Sequence, residues 1–439
     1  MAITTQDDGR SDGRSDGRAE RALQVRAADA RGFSPSMLLN DKRYRGITLQ
    51  VIALAAIAFA IWWLGSNVVA KLGAQGRDFS FAFLWSPASY DIDQTLIDYS
   101  SRSPHWRAAL VGILNTLLVA FLGIVFATIL GVTAGIGRLS SNWLVARLMT
   151  VYVELFRNVP VLIWIVISIA IFTTVFPTPR QAWTLGGGLG SLLELLTFGI
   201  YDGDPIGQVA VFTNRGVRLT APEFLPGSGL VVLVFFASLV GAWLFRRYAR
   251  ARQERTGDIV PWKRFAALIV IVPTVVAFLA LGRPIGLDVP ELQGFNFSGG
   301  WRMSGALFAL WLGLSVYTGA FIAEVVRSGI QAVSKGQTEA ALAVGLPPKR
   351  VMNLVVLPQA LRVIIPPLIS QYLNLTKNSS LAIATGYFDI TGTLGGVTLN
   401  QTGRAMECII LLMLFYLTIS LVVSAVMNAY NGRVALKER

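Results

Sequence analysis

The chain is broken into apolar blocks of about 20 residues, the length a helix needs to cross the hydrocarbon of a bilayer. Eight such blocks stand at 47–65, 110–136, 151–176, 228–246, 264–282, 303–325, 359–380 and 408–428. Lipid offers the backbone no water to bond, so each block must satisfy its own N–H and C=O groups as a helix. A membrane barrel would show alternating strands of about ten residues instead, and no such alternation runs through the sequence. Only 14% of the 439 residues are charged, too few to clothe a soluble domain of this length. The expected fold class is therefore all-α, a polytopic helical membrane protein with about eight transmembrane helices.

The net charge of +13 raises the question of what the cations do. The eight blocks divide the intervening segments between two sides. The side that holds the N-terminus carries 27 Lys and Arg residues and the other side 11. Cations accumulate on the cytoplasmic side of membrane proteins, so both termini are expected there. The charge is read as orientation, with no nucleic-acid partner. Residues 1–46 contain no secretory signal and include a DGR repeat over 8–18 with no apolar face to bury. They read as a disordered basic cytoplasmic tail, and 429–439 as a cytoplasmic C-terminal tail.

Other chemistries are poorly supplied. The single cysteine, Cys408, opens an apolar run and reads as packing, and the single histidine, His105, falls in a polar stretch expected to be a loop. A metal site built on such residues is not expected, and no catalytic constellation stands out. Gly186–Gly190 form a glycine run, but no lysine anywhere is followed by Ser or Thr. The chain therefore has no phosphate-binding loop of its own.

The most informative stretch is GIQAVSKGQTEAALAVGLPPKRVMNLVVLPQALRV, Gly329 to Val363, on the expected cytoplasmic face. Glu339 to Val344 favour a helix. Gly345 can end it, and Pro347 and Pro348 stop it from continuing. A turn and a second short helix around Lys349 to Leu354 should follow. The spacing of Glu339-Ala340-Ala341, Gly345, Val355 and Leu357-Pro358 resembles the EAA loop of ABC-importer permeases. In that family the loop, here about 329–358, is the coupling helix that sits in a groove of the ATP-hydrolysing subunit.

Further stretches extend the resemblance. Tyr152–Val166, Tyr317–Gln337 and Pro366–Ala382 are similar to the polar amino-acid branch, a type I importer fold. Leu373–Asp389 with Thr398–Cys408 resembles the general L-amino-acid permeases of bacteria. The resemblance covers about 103–176 and 303–428, the two parts of a five-helix permease core. Residues 47–65 are then an added N-terminal anchor, and 177–302 an insertion with periplasmic loops and two more helices. It implies a bacterial inner-membrane permease subunit of an ATP-driven amino-acid importer, itself not an enzyme. No cofactor is expected in this chain, with ATP and Mg on a partner ATPase. The implied partners are cytoplasmic ATP-binding subunits, a sister permease in a heterodimer, a periplasmic amino-acid-binding protein and membrane lipid. An ion-gradient-driven transporter would also have eight helices and an intramembrane lysine. It would leave the EAA spacing unexplained and would call for mid-membrane carboxylates that the sequence lacks.

Two groups of residues are candidates for the pathway. Lys377 sits in Asn374-Leu375-Thr376-Lys377-Asn378-Ser379-Ser380, and ionisable groups at membrane depth usually face a bundle interior or water. Lys377 is suited to a substrate carboxylate, and Asn374, Asn378 and Ser379 to hydrogen bonds. The competing readings are a lysine that snorkels to the outer interface and one with a structural or gating role. Glu154 with Arg157, and Glu324 with Arg327, stand three residues apart, the spacing of neighbours on a helix surface. They read either as ion pairs on the cytoplasmic side or as an inner gate. Pro358 and the Pro366-Pro367 pair suggest an irregular start to the seventh segment, and Arg404 with Glu407 flank the entry to the eighth.

Overall fold

The structure, a computed structural model, describes residues 42–74, 78–186 and 208–434. Most of the basic tail, most of the glycine run and residues 435–439 lie outside the described residues. Two compact units are distinguished, residues 1–80 and 81–439. The first contains helix α1, Lys42–Ala74, whose apolar side chains from Ile47 to Val69 are exposed along its length, as lipid-facing residues are. Among the described residues seven helices are long and apolar enough to cross a membrane, or eight if one bent pair is a single span.

The second unit is organised around two helices, α2 (His105–Gly137) and α7 (Gly305–Gln331). Leu307, Leu310, Leu314 and Ile322 of α7 are fully buried. Lipid tails are as apolar as leucine, so burial alone does not drive helices together there; close packing does. The sequence provides it with small residues four apart. A Cβ on Gly131 would stand 2.8 Å from the Gly319 carbonyl, and one on Gly135 2.7 Å from the Ala323 carbonyl. Gly313 admits the backbone of α4 (Val161–Val175), and Gly329 admits Ile364 of α10 (Leu357–Asn378).

The expected span at 151–176 is not one helix. Helix α3, Trp143–Asn158, ends where Val159 turns extended (φ −114°, ψ 135°), and α4 departs at 106° to it. Pro160 forces the break, because its ring disfavours the helical region for the residue before it. Helix α3 is amphipathic, with Leu144, Leu148, Val151 and Leu155 exposed and Val153 buried. His105 is likewise not in a loop. It opens α2, is buried, and its Nδ1 lies 3.0 Å from the Thr398 hydroxyl.

The stretch 177–302 carries strands that a reading based on apolar blocks did not foresee. β1 (Trp183–Leu185), β2 (Ala210–Thr213), β3 (Gly216–Leu219) and β8 (Trp301–Ser304) form one antiparallel sheet in that order. Two hairpin-like pairs flank it, β4 (Ala221–Phe224) with β5 (Ile285–Asp288), and β6 (Glu291–Gln293) with β7 (Asn296–Ser298). Strands of three or four residues leave no block long enough to read. Between β4 and β5 rises a helical hairpin, α5 (Ser228–Thr256) and α6 (Trp262–Ala280), whose helices pack on each other.

Helix α10 holds Pro366 and Pro367 inside its length without a break. The irregularity lies earlier, in a π-turn over Met352–Val356, and Pro358 sits in the first turn of α10, where a missing N–H costs nothing. A 3₁₀ segment, Ser379–Thr385, and a second π segment, Thr391–Thr398, lead through the short α11 (Leu399–Thr402) to α12 (Ala405–Val434). Cys408 is buried in α12, and Arg404 pairs with the buried Glu407 at 3.2 Å.

Candidate functional site

The loop between α7 and α10 begins with α8, Lys335–Ala343, four residues ahead of the expected start. It ends in a Schellman arrangement: Gly345 N–H donates to the Leu342 carbonyl at 2.9 Å and Leu346 N–H to the Ala341 carbonyl at 3.2 Å. Gly345 takes φ +79°, a conformation that favours glycine. Pro347 and Pro348 then start α9, Pro348–Val351, which runs through the π-turn into α10. The loop folds on its own small core of Ala341, Val351 and Val356, with Leu346 and Val355 against it.

That core separates the predicted coupling residues. Ala341 points inward and holds α8 down. Glu339, Ala340, Gly345, Leu357 and Pro358 are exposed. Beside them stand apolar side chains that the motif did not single out: Leu342, Leu354 and Val344, the last 77% exposed. Glu339, Lys349 and Arg350 of the same loop are exposed as well.

The four charged gate candidates come together in a network, though not with the pairing expected. Glu324 and Arg327 meet at 2.7 Å as the spacing implies. Glu154 and Arg157 pair with other residues instead. Arg138, the residue that caps the C-terminal end of α2, reaches Glu324 at 2.5 Å and Glu154 at 3.7 Å, while Arg157 approaches Glu324 at 3.6 Å. Glu324 thus gathers three guanidiniums from three helix ends. Arg157 also lies over the Phe321 ring. The signal for Arg138 was available: it is the first cation after the apolar run and follows the small residues that bring α2 against α7.

The substrate-pathway candidates divide. Asn374 and Lys377 are exposed on α10 and Asn378 is half-buried, whereas Ser379 is fully buried and its hydroxyl donates to the Thr376 carbonyl at 2.8 Å. Ser379 therefore belongs to the interior, because the helix tightens into the 3₁₀ segment there and turns it inward.

That interior holds a polar clamp on which the sequence gave no hint. The Asn115 amide of α2 donates to the Phe388 carbonyl at 2.9 Å and to the Gln94 carbonyl at 2.8 Å. Tyr387 donates to the Asn115 carbonyl, and Ile390 N–H to the Thr116 hydroxyl. At its centre Asp389 is fully buried. Its Oδ1 accepts from Gly392 N–H at 2.8 Å, and its Oδ2 has no hydrogen-bond partner. Burial pushes its carboxyl up to about 6, held back in part by the Gly392 bond. The clamp leaves no room on α2, where a Cβ on Gly112 would strike Thr393 and stand 3.0 Å from the Asp389 carbonyl.

Residues 260–436 match the family described as binding-protein-dependent transport system inner membrane component. Over nearly its whole length the chain is similar to the glutamate/glutamine/aspartate/asparagine transport system permease protein BztB of Rhodobacter capsulatus. The two are 49% identical over 93% of this chain and 98% of that one. The chain belongs to the permease subunits of ABC importers. The permease is also 43% identical to the general L-amino acid transport system permease protein AapQ of Rhizobium johnstonii, over 93% of this chain and 96% of that one. It is 43% identical to the amino-acid ABC transporter permease protein YhdX of Escherichia coli, over 92% and 98%. As a family member it is a multi-pass inner-membrane transport subunit rather than an enzyme, and such permeases work with ATP-binding subunits and a substrate-binding protein.

Proposed function

We propose that this permease carries polar L-amino acids inward across the bacterial inner membrane, and that α8 is its coupling helix. The observation that carries the coupling reading is the exposed patch Glu339, Ala340, Leu342, Val344 and Leu354, fixed on a loop with its own core. Such a patch can receive a partner and pass on a rigid-body push, because Ala341 and the π-turn tie α8 to α10 and Gly329 seats α10 against α7. The partner is an ATP-binding subunit holding ATP and Mg, with both termini of the permease on the same, cytoplasmic side. The network around Glu324 joins α2, α3 and α7 near their ends, the place where an inner gate would open and close.

The cargo follows from the relatives, whose names specify glutamate, glutamine, aspartate and asparagine in one case and general L-amino acids in another. A cation is the natural partner of the α-carboxylate these substrates share, and Lys377 is exposed with no ion pair among the described residues. Asn374 and Asn378 flank it. The face they form is completed by a sister permease, and 47–65 and 177–302 are additions to the core that distinguish the two subunits.

The test is transport by the reconstituted assembly. With the ATP-binding subunits, the sister permease and the binding protein in proteoliposomes, labelled glutamate and asparagine enter only with ATP and Mg. Lys377→Gln lowers uptake of all amino acids alike, as loss of a carboxylate contact would. Uptake that follows an imposed ion gradient without ATP would overturn the reading.

A further inference from the structure

Helix α5 does not stop where its apolar block ends. It continues from Arg246 to Thr256, and α6 starts again at Trp262. The turn region carries Arg246, Arg247, Arg250, Arg252, Arg255, Lys263 and Arg264, all exposed, against Glu254 and Asp258. Orientation alone needs cations somewhere in this segment; it does not dictate where along the helix they stand or what they pair with.

Position along the helix and pairing with acid sort them into two sets. A helix rises about 1.5 Å per residue and the headgroup layer is about 5–8 Å thick on each side. Arg246, Arg247 and Arg250 therefore lie within about 6 Å of one another along the axis, directly at the end of the apolar block. Lys263 and Arg264 occupy the first turn of α6. The Arg246 guanidinium lies 4.9 Å over the Trp262 ring and that of Arg247 4.9 Å over Trp243, which fixes both at the level of the interfacial tryptophans. None of these five cations has a carboxylate partner among the described residues. The outer set differs. Arg255 stands about 13 Å beyond Arg246 along the axis, and Arg252 is paired with Asp258 at 3.4 Å. The acids of the segment, Glu254 and Asp258, thus follow Arg250 by four and eight residues.

We propose that Arg246, Arg247, Arg250, Lys263 and Arg264 form a binding site for the headgroup phosphates of anionic phospholipid. The hairpin that bears them packs on itself and leaves Leu233, Phe236, Val240, Leu244, Leu268 and Ile271 exposed, so acyl chains have access beneath the cations. The site is independent of the cargo and of α8.

Native mass spectrometry of the assembled transporter, titrated with phosphatidylglycerol or phosphatidylcholine, tests it. Phosphatidylglycerol binds wild type at least about fivefold more tightly, since one headgroup-level cation is worth about that factor. The R246Q/R247Q/R250Q/K263Q/R264Q variant loses that preference, while R252Q/R255Q changes it less than about twofold. An unchanged preference in the five-site variant, or an equal loss in the outer pair, overturns the proposal. So does displacement of the lipid by inorganic phosphate, or a five-site variant that sheds a partner subunit while binding lipid normally. If the five-site variant fails to assemble, salt decides on wild type. The preference falls as ammonium acetate rises, and an affinity insensitive to salt contradicts a phosphate–cation site.

Discussion

Two polar regions of this permease sit at opposite extremes of exposure. The loop 334–358 places Glu339, Ala340, Leu342, Val344 and Leu354 on its surface and keeps only a small core behind them. The clamp between α2 and residues 387–393 hides Asn115, Thr116, Tyr387, Asp389 and Thr393 completely. In the loop a side chain can change without disturbing what surrounds it, so its identity is free to serve a partner. In the clamp every donor is engaged and each change propagates into two segments. Membrane helices gain little from burial alone, so a polar joint whose donors are all engaged is an economical way to hold an irregular segment against a helix. The comparison separates residues that fix the architecture from residues that use it.

The sharpest way to break this contrast is Gly112→Val. Two of the three atoms its Cβ meets are backbone, so the clamp cannot yield by a rotamer change. The cost should reach or exceed the top of the range of about 1–3 kcal/mol typical of overpacking, visible as a collapse of the melting temperature in detergent. An unchanged melt would mean that the clamp is slack.

Asp389 offers a second test through pH. Its folded pKa of about 6 lies above the ordinary 3.8, so the native state holds the proton more tightly than the unfolded chain does. The stability this contributes is complete below about pH 4 and is lost as pH rises through about 6, amounting to about 3 kcal/mol. Asp389→Asn removes that loss and makes the variant more stable than wild type at about pH 8. Parallel pH profiles for the two proteins would refute a buried, titrating carboxyl.

The network tests the ground between the extremes. Glu324 gathers three guanidiniums and is three-quarters buried, whereas Glu154 is 54% exposed and meets one. Glu324→Gln should cost about 2 kcal/mol, below the range for fully buried pairs, and Glu154→Gln less than about 0.5. Equal melting shifts would remove Glu324 from the centre. Gly345→Ala falls between these two at about 1 kcal/mol, since its Cβ would meet open space and only the left-handed backbone objects.

What the sequence made legible divides along the same line. Seven long helices and the loop with its glycine stop were readable, because apolar length and the Gly345-Pro347-Pro348 punctuation are local signals. The bend at Val159–Pro160 was readable too, but the apolar block ran across it and masked the proline. The Glu324–Arg327 pair was readable from its spacing, whereas the partners of Glu154 and Arg157 were not, since Arg138 joins the group only after α2 and α7 meet through Gly131 and Gly135. Asp389 stood in view beside Tyr387 and Phe388 without a periodic or spacing signal to mark it. The clamp is recognised by the bonds of its neighbours Tyr387 and Phe388, whose partner Asn115 lies on α2, more than 270 residues earlier in the chain.

The central claim is that α8 and its neighbours receive the ATP-binding subunit, and copurification tests it most directly. The tagged permease, co-expressed with its ATPase, should retain that partner in mild detergent. Val344→Glu with Leu354→Glu should release it while leaving the melting temperature of the permease unchanged, because both side chains already face outward. An ATPase that stays bound to the double variant at wild-type stoichiometry would contradict the account.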